Sequence, residues 1–401
     1  MFDSARIYQL LPIDKVICGR GAVSQIPVQV DQMGRRKAFI ITGNTMATKT
    51  NLVDELVSHL KTKCAGVFHE CKQHIPRSTV FKAAQQARKS GADMVISFGG
   101  GTPIDTAKAV SFVLSQNIEE ESQMMKFKVQ YEYGKRMEAP PIQTERIVPH
   151  IAIPTTMSGG EFTSGFGPTN EATGAKEIIN YPSFVPRIIV LDPEVTLMTP
   201  EELWLSTGIK SVDHTVEAFF SLHHHPLTDT LSKSALSQLL QYLPLCKLYP
   251  EDLRIRQNLQ VAAWFAILHV APSVRWGLSH AVGHQVGGMF NIPHGITSCI
   301  FLPPTLEFNR PVNAERQALL AETVGIRTAY ISADQAAMAL QQIISDLIVQ
   351  LGLPHKLRQF DVPQTKFDAI AQHVLSDLTL ETNPRRITGT EDIVSILKSA
   401  W

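Results

Sequence analysis

The sequence predicts an α/β domain built on a Rossmann-like parallel sheet, followed by an all-helical domain, and three observations carry that expectation. Short β-rich runs alternate with helical stretches in the first half, the rhythm of a parallel sheet wrapped by helices. In the second half, helix-length segments with apolar residues at helical spacing follow one another with no convincing strand between them. At 401 residues the chain is too long for one hydrophobic core, so two units are expected, 1–195 and 196–401.

The elements read in order as follows. A strand over 37–42 (KAFIIT) leads to a helix over 51–60, and a strand over 94–98 (MVISF) leads to a helix over 105–114. Residues 115–146 are polar and proline-broken, which predicts a surface excursion rather than core. Further strands are expected over 150–153 and 187–191, each ended by proline or Asp-Pro. At Thr199-Pro200-Glu201-Glu202 a capping residue precedes a proline at the first helical position, which starts the helical half. Helices are then predicted over 227–245, 252–270, 314–324 and 333–351. His223-His224-His225 sits before Pro226 in what reads as a solvated loop between helices, not a second metal site.

Composition removes several function classes. Lys plus Arg and Asp plus Glu both number 37, so no basic field exists to hold nucleic acid or an anionic membrane. Hydrophobic residues at 44% against 18% charged suit a globular chain with apolar surface to spare, and a homodimer acting on a small molecule is expected. The five cysteines, Cys18, Cys64, Cys71, Cys246 and Cys299, are scattered and include no C-x-x-C, which argues against a disulfide framework or a cysteine zinc site. Met1 to Arg6 open no basic region with a following apolar stretch, and no apolar run reaches the roughly 18 residues of a membrane span. The expected location is cytoplasmic.

The 94–98 strand runs into Gly99-Gly100-Gly101-Thr102-Pro103-Ile104-Asp105 and a helix. Glycines let backbone approach a phosphate, and a helix N-terminus offers unpaired N–H groups, so a dinucleotide pyrophosphate would fit; a tight strand-to-helix turn would explain the same glycines.

Four segments in order, Gly99 to Lys108, Ile153-Pro154-Thr155-Thr156, Asp192-Pro193-Glu194 and Gly277 to Gly295 (GLSHAVGHQVGGMFNIPHG), with Asn383-Pro384-Arg385 near the end, resemble the iron-containing alcohol dehydrogenase family. The spacing from Pro154 to Thr163 is similar to the maleylacetate reductase branch, described as working without a metal. The resemblance implies NAD(P)-dependent interconversion of an alcohol and a carbonyl in a cleft between the two domains. It places the cofactor on Gly99, Gly100, Gly101, Thr102 and Asp105, with Thr155 and Thr156 around the nicotinamide side and Lys176 near the ribose. After the 37–42 strand, where NAD-preferring relatives carry an aspartate, this chain has Gly43-Asn44-Thr45, so NADP is accepted at least as well as NAD.

Family members that hold iron or zinc use an aspartate and a histidine one helical turn apart, then two further histidines. Here His214, His280 and His294 match the three histidines, and His284 matches the one associated with proton relay. Lys210 stands where the ligand aspartate belongs. An ammonium beside a divalent ion opposes binding, so a zinc or iron ion is not expected; were one present, His214, His280 and His294 would hold it. Asp213 as a replacement ligand is discounted, because adjacent helix positions project about 100° apart and His214 already faces the site. The expectation is therefore a metal-free reductase of a carbonyl or activated enone in a small metabolite, in which Lys210, with His214 and His280, steadies the oxyanion and His284 donates the proton. Two alternatives stay open: an acid-base enzyme (isomerase, dehydratase or cyclase) on the same scaffold, and an inactive cofactor-binding protein.

Overall fold

A computed structural model describes residues 10–129, 131–132, 135–136, 140–174, 176–268 and 274–401. The reading of Met1 to Arg6, the end of the helix predicted over 252–270 and part of the 115–146 segment lie outside the described residues. The chain divides into two compact units, the first over residues 10–199 and the second over 200–401. Among the described residues no helix is long and apolar enough to cross a membrane.

In the first unit six parallel strands form one sheet: β1 (Lys15–Cys18), β2 (Ala38–Thr42), β3 (Cys64–Phe68), β4 (Met94–Gly99), β5 (His150–Pro154) and β6 (Ile188–Leu191), in spatial order β1-β6-β5-β4-β2-β3. Both faces are covered, so β2 and β4 are buried throughout rather than alternating with polar residues. Successive side chains of β2 serve opposite cores. Ala38 and Ile40 pack with helices α1 (Ile26–Gln32) and α2 (Leu52–Leu60), while Phe39 and Ile41 pack with α3 (Arg77–Lys89) and α4 (Gly101–Ser115). The winding therefore changes side at β2 and β4, with Thr42 beside Phe98 in register. A crevice outside the carboxyl ends of two strands at such a switch is where open α/β sheets take ligands.

The 115–146 segment departs from expectation. Ile118 and Met124 are buried in the Phe112 core, with Phe127, Ile142, Ile147 and Val148 packed against it. Its apolar residues are too sparse for a periodic pattern yet sufficient to close one end of that core. Lys108 is a second departure from simple patterning: it is fully buried on α4, and its ammonium reaches Asp105 Oδ1 at 3.1 Å, the carbonyls of Gly160 at 2.6 Å and Gly165 at 3.1 Å, and Thr163 Oγ1 at 3.1 Å. It ties the glycine-rich turn to the segment that follows β5.

The second unit has no strand among the described residues. Its axis is α5 (Glu201–Phe220), buried along most of its length. Around it lie α6 (Pro226–Leu248), α7 (Leu253–Ile267), α8 (Leu278–Phe290), α9 (His294–Ala321), α10 (Ala333–Gln350), α11 (Phe367–Val374) and α12 (Thr390–Ala400). α5 begins one residue later than predicted: Pro200 is its N-cap, and the Thr199 hydroxyl donates instead to the Thr155 carbonyl at 2.7 Å. α9 breaks at Asn313, whose backbone is non-helical, after three internal prolines, and this is why its last part reads as a separate helix from 314. The histidine run is not wholly solvated. His225 is 4% exposed and caps α6, its Nδ1 accepting the Thr228 N–H at 3.3 Å, so the helix start that follows it needed the imidazole.

Replacing Lys108 by Met would leave a carboxylate and two carbonyls without their shared donor. Thermal unfolding of Lys108→Met is expected at a midpoint lower by roughly 6–12 °C, about 3 kcal/mol; an unchanged midpoint would show that the ammonium holds nothing.

Candidate functional site

In the first unit the strand-to-helix turn brings most of its sequence-predicted residues together. Gly99 has φ +142, and a Cβ there would lie 3.0 Å from Pro103 Cγ. Gly100 adopts an ordinary extended backbone, but a Cβ would lie 3.2 Å from Thr156 Cγ2, and one on Gly101 would lie 3.3 Å from Ser158 Oγ. These glycines are thus needed first for the approach of the 155–158 segment, whose Thr155 N–H donates to the Gly99 carbonyl at 3.0 Å. A second observation points to a ligand. The hydroxyls of Thr156 and Ser158 are both buried without a hydrogen-bond partner, beside the open N-terminus of α4. Unpaired donors next to a helix dipole suit phosphate oxygens. Gly43 ends β2 alongside, on the neighbouring strand. Thr102 lies in the first turn of α4, and Asp105, one turn in, is engaged by Lys108. Lys176 is exposed, with its side chain against Gly167.

In the second unit the site grows from one helix face. Lys210, Asp213, His214 and Glu217 stand at i, i+3, i+4 and i+7 on α5, so all four share a stripe. α8 and α9 approach that stripe closely because Gly283 leaves room for Thr297, at 3.0 Å from a built Cβ, and a Cβ built on Gly295 would lie 2.7 Å from the Ser206 backbone. α8 starts at Gly277 with no side-chain cap of its own. Glu217 supplies the cap: its carboxylate accepts the N–H groups of Gly277 at 2.9 Å, Ser279 at 2.6 Å and His280 at 3.3 Å, and meets His280 Nδ1 at 2.7 Å. Asp213 Oδ2 accepts the Ser279 hydroxyl at 2.9 Å and stands 3.6 Å from His280 Nδ1. His214, Trp276 and His280 stack on one another with ring centroids 4.8–5.1 Å apart.

Burial pushes the Asp213 and Glu217 carboxyls up to about 7, and pushes the His280 imidazole down to about 3. His280 is therefore neutral, and its Nε2 is buried with no hydrogen-bond partner. Two desolvated carboxylates beside a neutral imidazole with an unused nitrogen make a donor set suited to a divalent cation. Asp213, Glu217 and His280 each bring a ligand atom within 4.8 Å of the other two.

That cluster overturns the expectation that zinc or iron is unlikely. One carboxylate is lost and one ammonium gained at Lys210, but α5 also carries the carboxyls of Asp213 and Glu217 on the same stripe. The 100° offset of Asp213 from His214 does not take it off the site, because Asp213 points to α8 while remaining one turn from Glu217. His214 also stands at this cluster, its ring 4.9 Å from that of His280 between centroids.

His284, one turn after His280, is held by a residue that sequence reasoning missed. Its Nδ1 lies 3.0 Å from Asp377 Oδ2, and its ring meets His294 edge to face at 5.3 Å. Burial works against the Asp377 charge, but His284 and Thr379 hold its carboxyl below the usual carboxylate range. Glu217 lies one turn after Asp213 on the same helix, between Val216 and Ala218, which is a readable sign; Asp377, 93 positions from its partner, has none.

Known proteins similar to this chain match it along both units. The profile described as iron-containing alcohol dehydrogenase matches residues 13–193, and that of the Fe-containing alcohol dehydrogenase family, C-terminal, matches 204–401. An Escherichia coli protein named probable alcohol dehydrogenase EutG is 30% identical, over 96% of this chain and 92% of its own. Maleylacetate reductase of Sphingobium indicum is 27% identical, over 98% and 97%. The solved structure of alcohol dehydrogenase from Oenococcus oeni superposes with a TM-score of 0.89 at 26% identity, covering 98% of this chain and 100% of that one. The maleylacetate reductase branch thus stands no nearer than the alcohol dehydrogenases.

Gly277→Ala places a Cβ 2.9 Å from Asn383 Oδ1 and 3.1 Å from Glu217 Oε1. Denaturant unfolding is expected to show a loss of about 1–3 kcal/mol. Gly288→Ala, with open space around it on the same helix, serves as the control and is expected to be neutral or stabilising by about 0.5–1 kcal/mol. Equal behaviour of the two would remove the case for a crowded helix start.

Proposed function

The chain belongs to the iron-containing alcohol dehydrogenase family, and from that premise we propose that it reduces a carbonyl or enone of a small organic metabolite with NADPH or NADH. Its class is that of the NAD(P)-dependent oxidoreductases acting on alcohol and carbonyl groups. The observation that carries the reading is that each unit holds an unsatisfied site of its own, the unpartnered hydroxyls of Thr156 and Ser158 at the α4 N-terminus in one and the carboxylate-imidazole cluster on α5 and α8 in the other.

The turn Gly99 to Gly101, with Thr102, Thr155, Thr156 and Ser158, would hold the pyrophosphate by N–H and hydroxyl donors. Asp213, Glu217 and His280 would hold a divalent ion, with Glu217 also steadying the imidazole at Nδ1. Such an ion supplies Lewis-acid polarisation of a carbonyl oxygen. His214 and Trp276 wall the cluster by stacking on His280. His284, one-third exposed, stands between this buried group and water and is the residue to deliver a proton. Gly43 leaves no carboxylate to repel a 2′-phosphate, which supports use of NADPH. The maleylacetate reductase branch remains within this proposal as one substrate class, an unsaturated keto acid, beside simple aldehydes.

Purified protein incubated with NADPH or NADH and a panel of short aldehydes and maleylacetate is expected to consume cofactor and yield the reduced product by mass. Product formed without cofactor loss would replace redox chemistry with acid-base chemistry. NADH preferred tenfold or more, about 1.4 kcal/mol, would contradict the Gly43 reading. Elemental analysis is expected to find a divalent metal in the wild-type protein and at least tenfold less in Asp213→Asn at the same fold content; retention of metal by that variant would remove Asp213 from the ligand set.

A further inference from the structure

The carboxylate of Asp377 is placed by both of its oxygens. Oδ1 accepts the Thr379 N–H at 3.0 Å and the Thr379 hydroxyl at 2.8 Å, capping the short helix Leu378–Thr382. Oδ2 is directed away from that cap, to His284 Nδ1 at 3.0 Å on α8. The Asp377 side chain is 10% exposed and that of His284 33%, so the contact is sheltered while the rest of the imidazole reaches solvent. A cap alone needs one oxygen. The second fixes the ring angle of a histidine one turn from the metal-type cluster, and a carboxylate at Nδ1 requires the proton to sit there in the neutral ring.

We propose that Asp377 is a positioning residue that sets the tautomer and direction of His284, so that Nε2 is the atom that delivers the proton to the product oxygen. This rests on the reading of the protein as a carbonyl reductase. With the hydride and its electron pair supplied to the carbonyl carbon by the reduced nicotinamide, the π pair moves to oxygen. The Nε2–H bond of the imidazolium breaks as the O–H bond of the alcohol forms, and its electron pair stays on the ring nitrogen. The ring is left neutral with its remaining proton on Nδ1 against Asp377, and Nε2 regains a proton from water.

The test compares wild type, Asp377→Asn, His284→Gln and the double variant, as the full chain. Asn keeps the capping oxygen for Thr379, so it separates the cap from the histidine contact. Nitrogen-15 NMR of ligand-free protein is expected to show His284 protonated at Nδ1 in wild type and moved toward Nε2 in Asp377→Asn. With NADPH and propanal, kcat is expected to fall at least tenfold in Asp377→Asn with the KM for NADPH within twofold, and the same change is expected to cost less than twofold in the His284→Gln background. An Nε2-protonated His284 in wild type, or equal losses in both backgrounds, would overturn the proposal and leave Asp377 as a cap. If wild type turns over none of the carbonyls, the proposed function is at fault, and the NMR comparison alone decides whether Asp377 sets the tautomer.

Discussion

A buried carboxylate at the head of an uncapped helix organises the second unit. α8 begins at Gly277 with backbone N–H groups that no side chain of its own satisfies, and Glu217 of α5 takes three of them. An anion at a helix N-terminus is favoured by the dipole, and desolvated N–H groups left unmet cost about 1–3 kcal/mol each. The same carboxylate also meets His280 Nδ1. Helix start, helix-helix approach and imidazole orientation are therefore one arrangement, and Gly277 is glycine because Asn383 and Glu217 leave no volume for a Cβ.

This explains why the aspartate-to-lysine change at Lys210 does not settle the fate of a metal. Charge on a buried helix face is a property of the stripe rather than of one position. Asp213 and Glu217 both suffer desolvation strong enough to raise their carboxyls to about 7, which is the direction expected of anions short of a counter-cation. His280, with Nδ1 at a carboxylate and Nε2 unused, has the orientation seen where a second carboxylate steers a metal-binding histidine.

Much of the fold was legible because its signals are local. β2, β4, β5 and β6 stood out as apolar runs, since a sheet covered on both faces requires them, and the glycines of the α4 turn announced a close approach. β1 and β3 were passed over: Lys15–Cys18 is a short edge strand, and Cys64–Phe68 carries a glycine and no long apolar run. Residues 115–146 misled because a few buried side chains, Ile118 and Met124 among them, close a core without any period. At the site, histidine spacing places His280 and His284 one turn apart on one helix, but the carboxylates that orient those histidines come from 63 and 93 positions away. No window of sequence contains such a pair.

The two histidines of α8 show what those distant partners accomplish. They lie one turn apart on the same helix, and their rings are 6.0 Å from each other, yet their environments diverge. His280 is 5% exposed and its pKa is pushed to about 3, so it stays neutral and fixed; His284 keeps a third of its side chain exposed, against a carboxylate held in the charged form. Neighbouring imidazoles of like charge would repel, and burial of one removes that conflict by keeping it uncharged. The segment from Asp377 to Arg385 serves both. Asp377 meets His284, while Asn383 accepts the Leu278 N–H at 3.3 Å and exchanges hydrogen bonds with Asn309 of α9 at 2.8 and 3.1 Å. Thr382 completes the strap by donating to the Trp276 carbonyl at 2.7 Å. The Asn-Pro-Arg motif near the end of the chain is thus a clamp on the first turn of α8. Because that turn carries His280 and the next carries His284, the register of a fixed ligand-type imidazole and a proton-carrying one is set by the same strap.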